Sequence, residues 1–131
     1  MTKMLAPIDV VCVASWNADL VSQLERPPTR GETLLAHHFS ISPGGKGSNA
    51  AVAAARQGAR VGLLARIGQD AFGAMGLTLW QREGIDATHV EQAANESNGV
   101  AQIWAVSYTP LTLPTLYRVL HSVVGASFIK K

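Results

Sequence analysis

One segment constrains this chain more than any other: Ser42-Pro43-Gly44-Gly45-Lys46-Gly47-Ser48-Asn49 running directly into Ala50-Ala51-Val52-Ala53-Ala54-Ala55-Arg56-Gln57-Gly58. Alanine is the strongest helix former, so a helix is predicted over about residues 48–57, with Gly58 at its C-terminal cap. That helix carries small side chains on every side, which lets it lie close against a sheet. The glycines ahead of it let the backbone approach a ligand closely, and the first N–H groups of a helix have no partner within it. Lys46 and Asn49 add directional donors at the same place. A small, oxygen-rich ligand suits such a mouth.

The sheet that the helix needs is legible on both sides. Ile8-Asp9-Val10-Val11-Cys12-Val13-Ala14-Ser15 is β-branched and nearly continuous, as in a parallel strand buried on both faces. Asn17-Ala18-Asp19 follows at its C-terminal end, where open α/β sheets place ligands. Residues 20–43 contain Pro27-Pro28 and Gly31 and then alternate around Thr33–Ile41, which predicts short strands or a flap. Ala59–Ile67 is a second strand. Gly68-Gln69-Asp70-Ala71-Phe72-Gly73 turns into a helix in which Phe72, Met75, Gly76 and Leu79 recur at helical spacing, and Gly84 ends the segment. Asn98-Gly99 is a turn signal before a strand at Val100–Val106. The order β–flap–α–β–α–β predicts an α/β sandwich.

Composition narrows the function classes. No apolar run is long enough to span a membrane, and the N-terminus has no signal-peptide core. Cys12 is the only cysteine, which excludes a disulfide framework or a cysteine metal cluster and reads as a buried strand thiol. His37, His38 and His89 lack metal-ligand spacing. A cytoplasmic protein fits. The pI of about 9.0 comes from the C-terminal end. Residues 1–106 hold eight basic and nine acidic side chains, whereas Arg118, Lys130 and Lys131 face no acid beyond residue 106. No basic patch is interleaved with aromatic residues, so nucleic acid is not an expected partner.

The glycine segment has competitors. A phosphate-binding P-loop needs Gly-Lys followed by Ser or Thr, and Lys46 is followed by Gly47. Gly45-x-Gly47-x-x-Ala50, with Asp70 further on, meets a loose dinucleotide pattern, but residues 20–43 separate it from the first strand. Asn17 and Asp19 read alone are ordinary turn residues. Read with the glycine segment they are parts of a sugar site, because a carboxylate accepts from two neighbouring hydroxyls and an amide both donates and accepts. Trp16 either walls that pocket or packs beside the strand.

With these motifs in order, residues 8–106 resemble the N-terminal part of the ribokinase-like (PfkB-type) carbohydrate kinases. The likeness runs through Asn17-Ala18-Asp19, Pro28-Thr29-Arg30-Gly31-Glu32-Thr33, Gly44 to Ala55, Gly68-Gln69-Asp70-x-x-Gly73, Gly84-Ile85-Asp86 and Asn98-Gly99-Val100-Ala101. Ser48 and Trp16 depart from the commonest residues of the pattern. The resemblance implies a three-layer α/β/α sandwich with a small β lid, formed by strands at about 20–43 and 97–106. It implies that Asn17 and Asp19 hold sugar hydroxyls. Gly45, Lys46, Gly47, Ser48 and Asn49 would line the same site, with Gly44 shaping the turn. It also implies ribose or a similar sugar as substrate, ATP and Mg²⁺ as cofactors of the full-length parent, and a homodimer through the lid. Fructose and nucleoside kinases share the same motifs.

The family's catalytic aspartate lies in a Gly-Ala-Gly-Asp motif. This chain has four aspartates, Asp9, Asp19, Asp70 and Asp86, and none follows Gly-x-Gly. The chain is therefore expected to be a fragment with the sugar-binding motifs but without catalytic residue, ATP site or activity of its own. A sugar-binding or dimerising module is the alternative. Ser107–Thr115 is uncharged, contains two prolines and resembles a sequencing-adapter oligonucleotide read in translation. Residues 107–131 are expected to be foreign to the fold, the other reading being a proline-broken loop and a C-terminal helix.

Overall fold

The structure, a computed structural model, describes residues 7–106; the expectations for 107–131 lie outside that range. Eight elements follow one another: β1 (Val10–Ala14), β2 (Asn17–Leu24), β3 (His38–Gly44), α1 (Lys46–Arg56), β4 (Val61–Gly68), α2 (Ala71–Arg82), β5 (Asp86–Ala93) and β6 (Gly99–Val106). They form two three-stranded sheets, β1-β4-β5 and β3-β2-β6. The first is parallel throughout and carries the two helices, and we call it the body. The second pairs β2 antiparallel to β3 and parallel to β6, and we call it the lid.

Both connections in the body step across the sheet in the same direction, from β1 to β4 and from β4 to β5. Right-handed crossovers then put α1 and α2 on the same face. Cys12, Ala14, Val61, Leu63 and Ile67 point to that face and join Ala51, Leu79, Trp80 and Ile85 in one core. The alternate residues Val11, Val13 and Leu64 are exposed. β1 is therefore covered on one face only among the described residues, not on both as its apolar run predicts. The described residues supply the sheet and one helical layer of the sandwich.

Close packing explains the alanine helix. A Cβ on Gly47 would lie 2.5 Å from the Cα of Ala14, so α1 touches β1 through bare backbone and Ala51, which is fully buried. The helix begins two residues before the predicted start, and Lys46 and Gly47 belong to its first turn. Asp70 caps α2, its Oδ1 accepting from the N–H groups of Phe72 (3.0 Å) and Gly73 (2.9 Å).

Two further differences from the sequence reading concern strands. Asn17 and Asp19 are not in the loop after β1 but open β2, so the lid starts at residue 17. β5 was not expected. Its run Asp86-Ala87-Thr88-His89-Val90-Glu91-Gln92-Ala93 is mostly polar because it pairs with β4 alone among the described strands, and charged residues are what edge strands carry.

Candidate functional site

The register of the lid sorts its side chains onto two faces. Across β2 and β3, Asn17 pairs with Gly44, Asp19 with Ser42 and Val21 with Ser40. Across β2 and β6, Asn17 pairs with Gly99, Asp19 with Ala101 and Val21 with Ile103. Paired residues share a face, so Asn17, Asp19, Ser40 and Ser42 stand together with Ala101 and Ile103. The opposite face carries Leu20, Phe39, Ile41, Val100 and Trp104. One face can grip hydroxyls and the other is greasy.

Asn17, Asp19 and Gly44 converge. Asn17 Nδ2 donates to Asp19 Oδ1 at 2.6 Å, which aligns the carboxylate and leaves its other oxygen and the second amide hydrogen unused among the described residues. A Cβ on Gly44 would fall against Asp19 Oδ1 and 2.6 Å from Asn17 Nδ2. Glycine thus lets both polar side chains close directly over its backbone. Gly45 follows with φ of 98°, a conformation that favours glycine, and any Cβ there would strike the carbonyl of Ser15. This turn delivers the chain into α1. No side chain caps α1, and its first turn holds no acid, so the N–H groups at its start are free for an outside acceptor.

The rest of the predicted set divides. Lys46 and Asn49 are exposed on the first turn of α1. Gly47 and Ser48 turn inward. Gly47 is spent on contact with β1, and Ser48 is fully buried with its Oγ accepting from Trp80 Nε1 at 2.9 Å. Trp16, for which the sequence left two readings, packs: its ring meets Trp80 edge-on with centroids 5.3 Å apart, and its Nε1 donates to the carbonyl of Phe72 at 3.1 Å.

The aspartates separate by their partners. Asp9 accepts from the backbone N–H and guanidinium of Arg60, which holds its carboxyl well below the usual range. Asp70 is lowered by the N–H of Asn98 first and then that of Gly73. Asp86 is lowered by the hydroxyl and N–H of Thr88. Asp19 alone of the four has no backbone or cationic partner among the described residues. The Pro28–Thr33 motif is a self-tied turn, in which Glu32 accepts from the N–H (2.9 Å) and hydroxyl (3.0 Å) of Thr29 and pairs with Arg26. It roofs a cavity of about 290 Å³ with Ser22, Leu24 and Trp104, on the apolar face of the lid and away from Asp19. No cluster of His, Cys, Asp or Glu suited to a metal occurs among the described residues, and none of their helices is long and apolar enough to cross a membrane.

Known proteins resemble this chain in sequence and fold. A family model described as pfkB family carbohydrate kinase matches residues 7–109. Ribokinase of Haemophilus influenzae is 42% identical over 91 residues, 70% of this chain and 30% of that protein. Deoxyribokinase of Salmonella typhi is 38% identical over 97 residues, 74% of this chain and 32% of that protein. The solved structure of Arabidopsis thaliana ribokinase complexed with ribose and ATP superposes with a TM-score of 0.67 at 27% identity, covering 92% of this chain and 35% of that one. The fold is ribokinase-like, and the chain spans about a third of the length of the curated relatives it matches.

Proposed function

The chain belongs to the pfkB family of carbohydrate kinases, and from that membership we propose that it carries the sugar-gripping part of an ATP-dependent sugar kinase. The parent reaction is ribose plus ATP giving ribose 5-phosphate and ADP, in the cytoplasm. The observation that carries the reading is the convergence of Asn17 and Asp19 over the bare backbone of Gly44, beside the start of α1, where no side chain of the described residues caps the helix. The Asp19 carboxylate accepts from two neighbouring ring hydroxyls while the Asn17 amide donates to one of them. Lys46, Asn49 and the free N–H groups of α1 meet the remaining oxygens. Gly45 sets the turn, and Gly47 and Ser48 support the site from within the core. Residues 1–106 are the N-terminal part of the kinase domain, and 107–131 are not native to it.

The lid lies over the bound sugar and keeps water from the hydroxyl to be phosphorylated, so that transfer outruns hydrolysis. ATP with Mg²⁺ supplies the phosphoryl group. Because none of Asp9, Asp19, Asp70 and Asp86 follows Gly-x-Gly, we assign the catalytic base and the nucleotide site to other regions of the parent.

Calorimetric titration of the chain with ribose, 2-deoxyribose, fructose and adenosine tests the reading. Binding strongest for ribose, with no ADP formed when ATP is added, is the expected result. Absence of heat with every sugar would end it. Deoxyribose binding as tightly as ribose would move the substrate toward that of the deoxyribokinase relative. Sequencing the source DNA beyond codon 106 is expected to reach a Gly-Ala-Gly-Asp codon run. A frame that never reaches one would leave a sugar-binding module without phosphoryl transfer.

The second face supports a second reading. Phe39, Ile41, Val100 and Trp104 share it and are all about half exposed. Such a patch marks an interaction surface, and we assign it to a second copy of the chain, lid against lid.

A further inference from the structure

Three crossings join the lid to the body: Ser15-Trp16 between β1 and β2, Gly45 between β3 and α1, and residues 94–98 between β5 and β6. All three are tied to α2. At the first, the Trp16 ring lies over Gly76, where a Cβ would come within 2.9 Å of it, and its Nε1 is held by the carbonyl of Phe72. Just past the second, Ser48 accepts from Trp80. At the third, buried Asn98 is held from every side. Its N–H donates to Asp70 Oδ2 at 2.9 Å, and its Nδ2 donates to Asp70 Oδ1 at 2.5 Å and to the carbonyl of Gly68 at 3.0 Å. Its Oδ1 accepts from the N–H of Gly68 at 3.2 Å. Gly73 on α2 makes room, since a Cβ there would lie 3.0 Å from Asn98 Nδ2.

The lid cannot orient itself. It is one sheet without a second layer, and among its strands only Ala18, Leu24 and the glycine at the end of β3 are buried. The parallel strands β2 and β6 enter it side by side at the pair Asn17 and Gly99. The residue immediately before each of these is the one clamped at the start of α2, Trp16 onto Phe72 and Gly76 of the helix itself and Asn98 onto its N-cap Asp70 and the adjoining Gly68. We propose that α2 is the common bearing of the lid, and that Trp16 and Asn98 are positioning residues that hold Asn17 and Asp19 in place without touching a ligand. Sequence spacing marks both residues only as a strand neighbour and a turn former. Their role emerges from what α2 presents to them.

Hydrogen exchange across the 131-residue chain tests this, with Asn98→Ala and Trp16→Phe as variants. Trp16→Phe keeps a buried ring, removes the bond to Phe72 and trims the part of the indole that lies over Gly76. Trp16→Phe loses one side-chain hydrogen bond and Asn98→Ala three, so amides of β2 and β6 should exchange about tenfold faster or more, while those of β1 and of β4 other than Gly68, which Asn98 holds directly, keep their protection. Equal acceleration in β1 and β4 would make these residues ordinary core staples and overturn the proposal, as would unchanged exchange in the lid. Should Asn98→Ala fail to fold, Trp16→Phe decides by the same criterion. A second readout rests on the sugar-binding reading: ribose affinity should fall about tenfold in each folded variant. If the unaltered chain binds no sugar, that reading fails by itself, and the exchange pattern still decides the role of α2.

Discussion

The body and the lid use three strands each and come out physically opposite. The body rolls its strands against two helices and buries Val61, Leu63 and Trp80 almost completely. The lid leaves both faces of its sheet open, with polar groups on one and Phe39, Ile41 and Trp104 on the other. A sheet with a helical layer derives its order from its own core. A single-layer sheet takes its order from its roots and from whatever lies on its faces. Stability therefore resides in the body while the proposed recognition groups Asn17 and Asp19 stand in the lid, and substitutions in the two regions should separate these properties.

The sharpest break is Trp80→Ala. It removes the largest fully buried side chain and strands the Ser48 hydroxyl, and should cost about 3–5 kcal/mol. Denaturant unfolding should show the loss, with sugar binding disappearing because the body has gone. Asp19→Ala is the reverse case: ribose affinity should fall roughly a hundredfold, from two lost charge-assisted bonds, while the thermal midpoint stays where it was. A midpoint that falls with the affinity would return Asp19 to a structural role and erase the contrast.

A smaller effect addresses the other lid face. Phe39→Asp should shift sedimentation from dimer to monomer with sugar affinity retained, because its face is opposite to that of Asp19. Loss of both properties would mean that the faces are coupled. The smallest effect is in acid. Arg56 holds the Glu83 carboxyl at about 2, and Arg26 with Thr29 holds that of Glu32 at about 2. A carboxylate whose folded value lies below its ordinary 4.5 stabilises the fold above that pH and loses the contribution as pH falls toward 2. Arg56→Ala should flatten the acid limb of the melting profile slightly, since the pair joins α1 to the end of α2. Arg26→Ala should flatten it less, because Glu32 keeps the N–H and hydroxyl of Thr29, and should quicken proteolysis within residues 25–37, since that pair closes a lid loop on itself.

How far the site could be read in advance varied by residue. Asn17, Asp19 and Gly44 were visible as types, because hydroxyl-gripping chemistry needs an acceptor, a mixed donor and an open approach. The division of labour within Gly45-Lys46-Gly47-Ser48-Asn49 was not visible. It depends on where the helix begins, and starting at Lys46 turns Gly47 and Ser48 toward β1 and α2. β5 escaped notice because an edge strand need not be apolar, and Asn98 because its four hydrogen bonds join residues 28 and 30 positions apart.

The sequence by itself determined the α/β alternation, the close-packed alanine helix, the family, and the chemical character of the sugar-facing groups. These rest on local propensity, on hydrophobic pattern and on residue type, all of which act over a few positions. Tertiary structure alone decided that both helices cover one face of the sheet, that the lid segregates polar from apolar residues, and that Trp16 and Asn98 meet on α2. Each of those depends on crossover handedness, strand register or contacts between distant segments, and such quantities exist only once the chain has closed on itself.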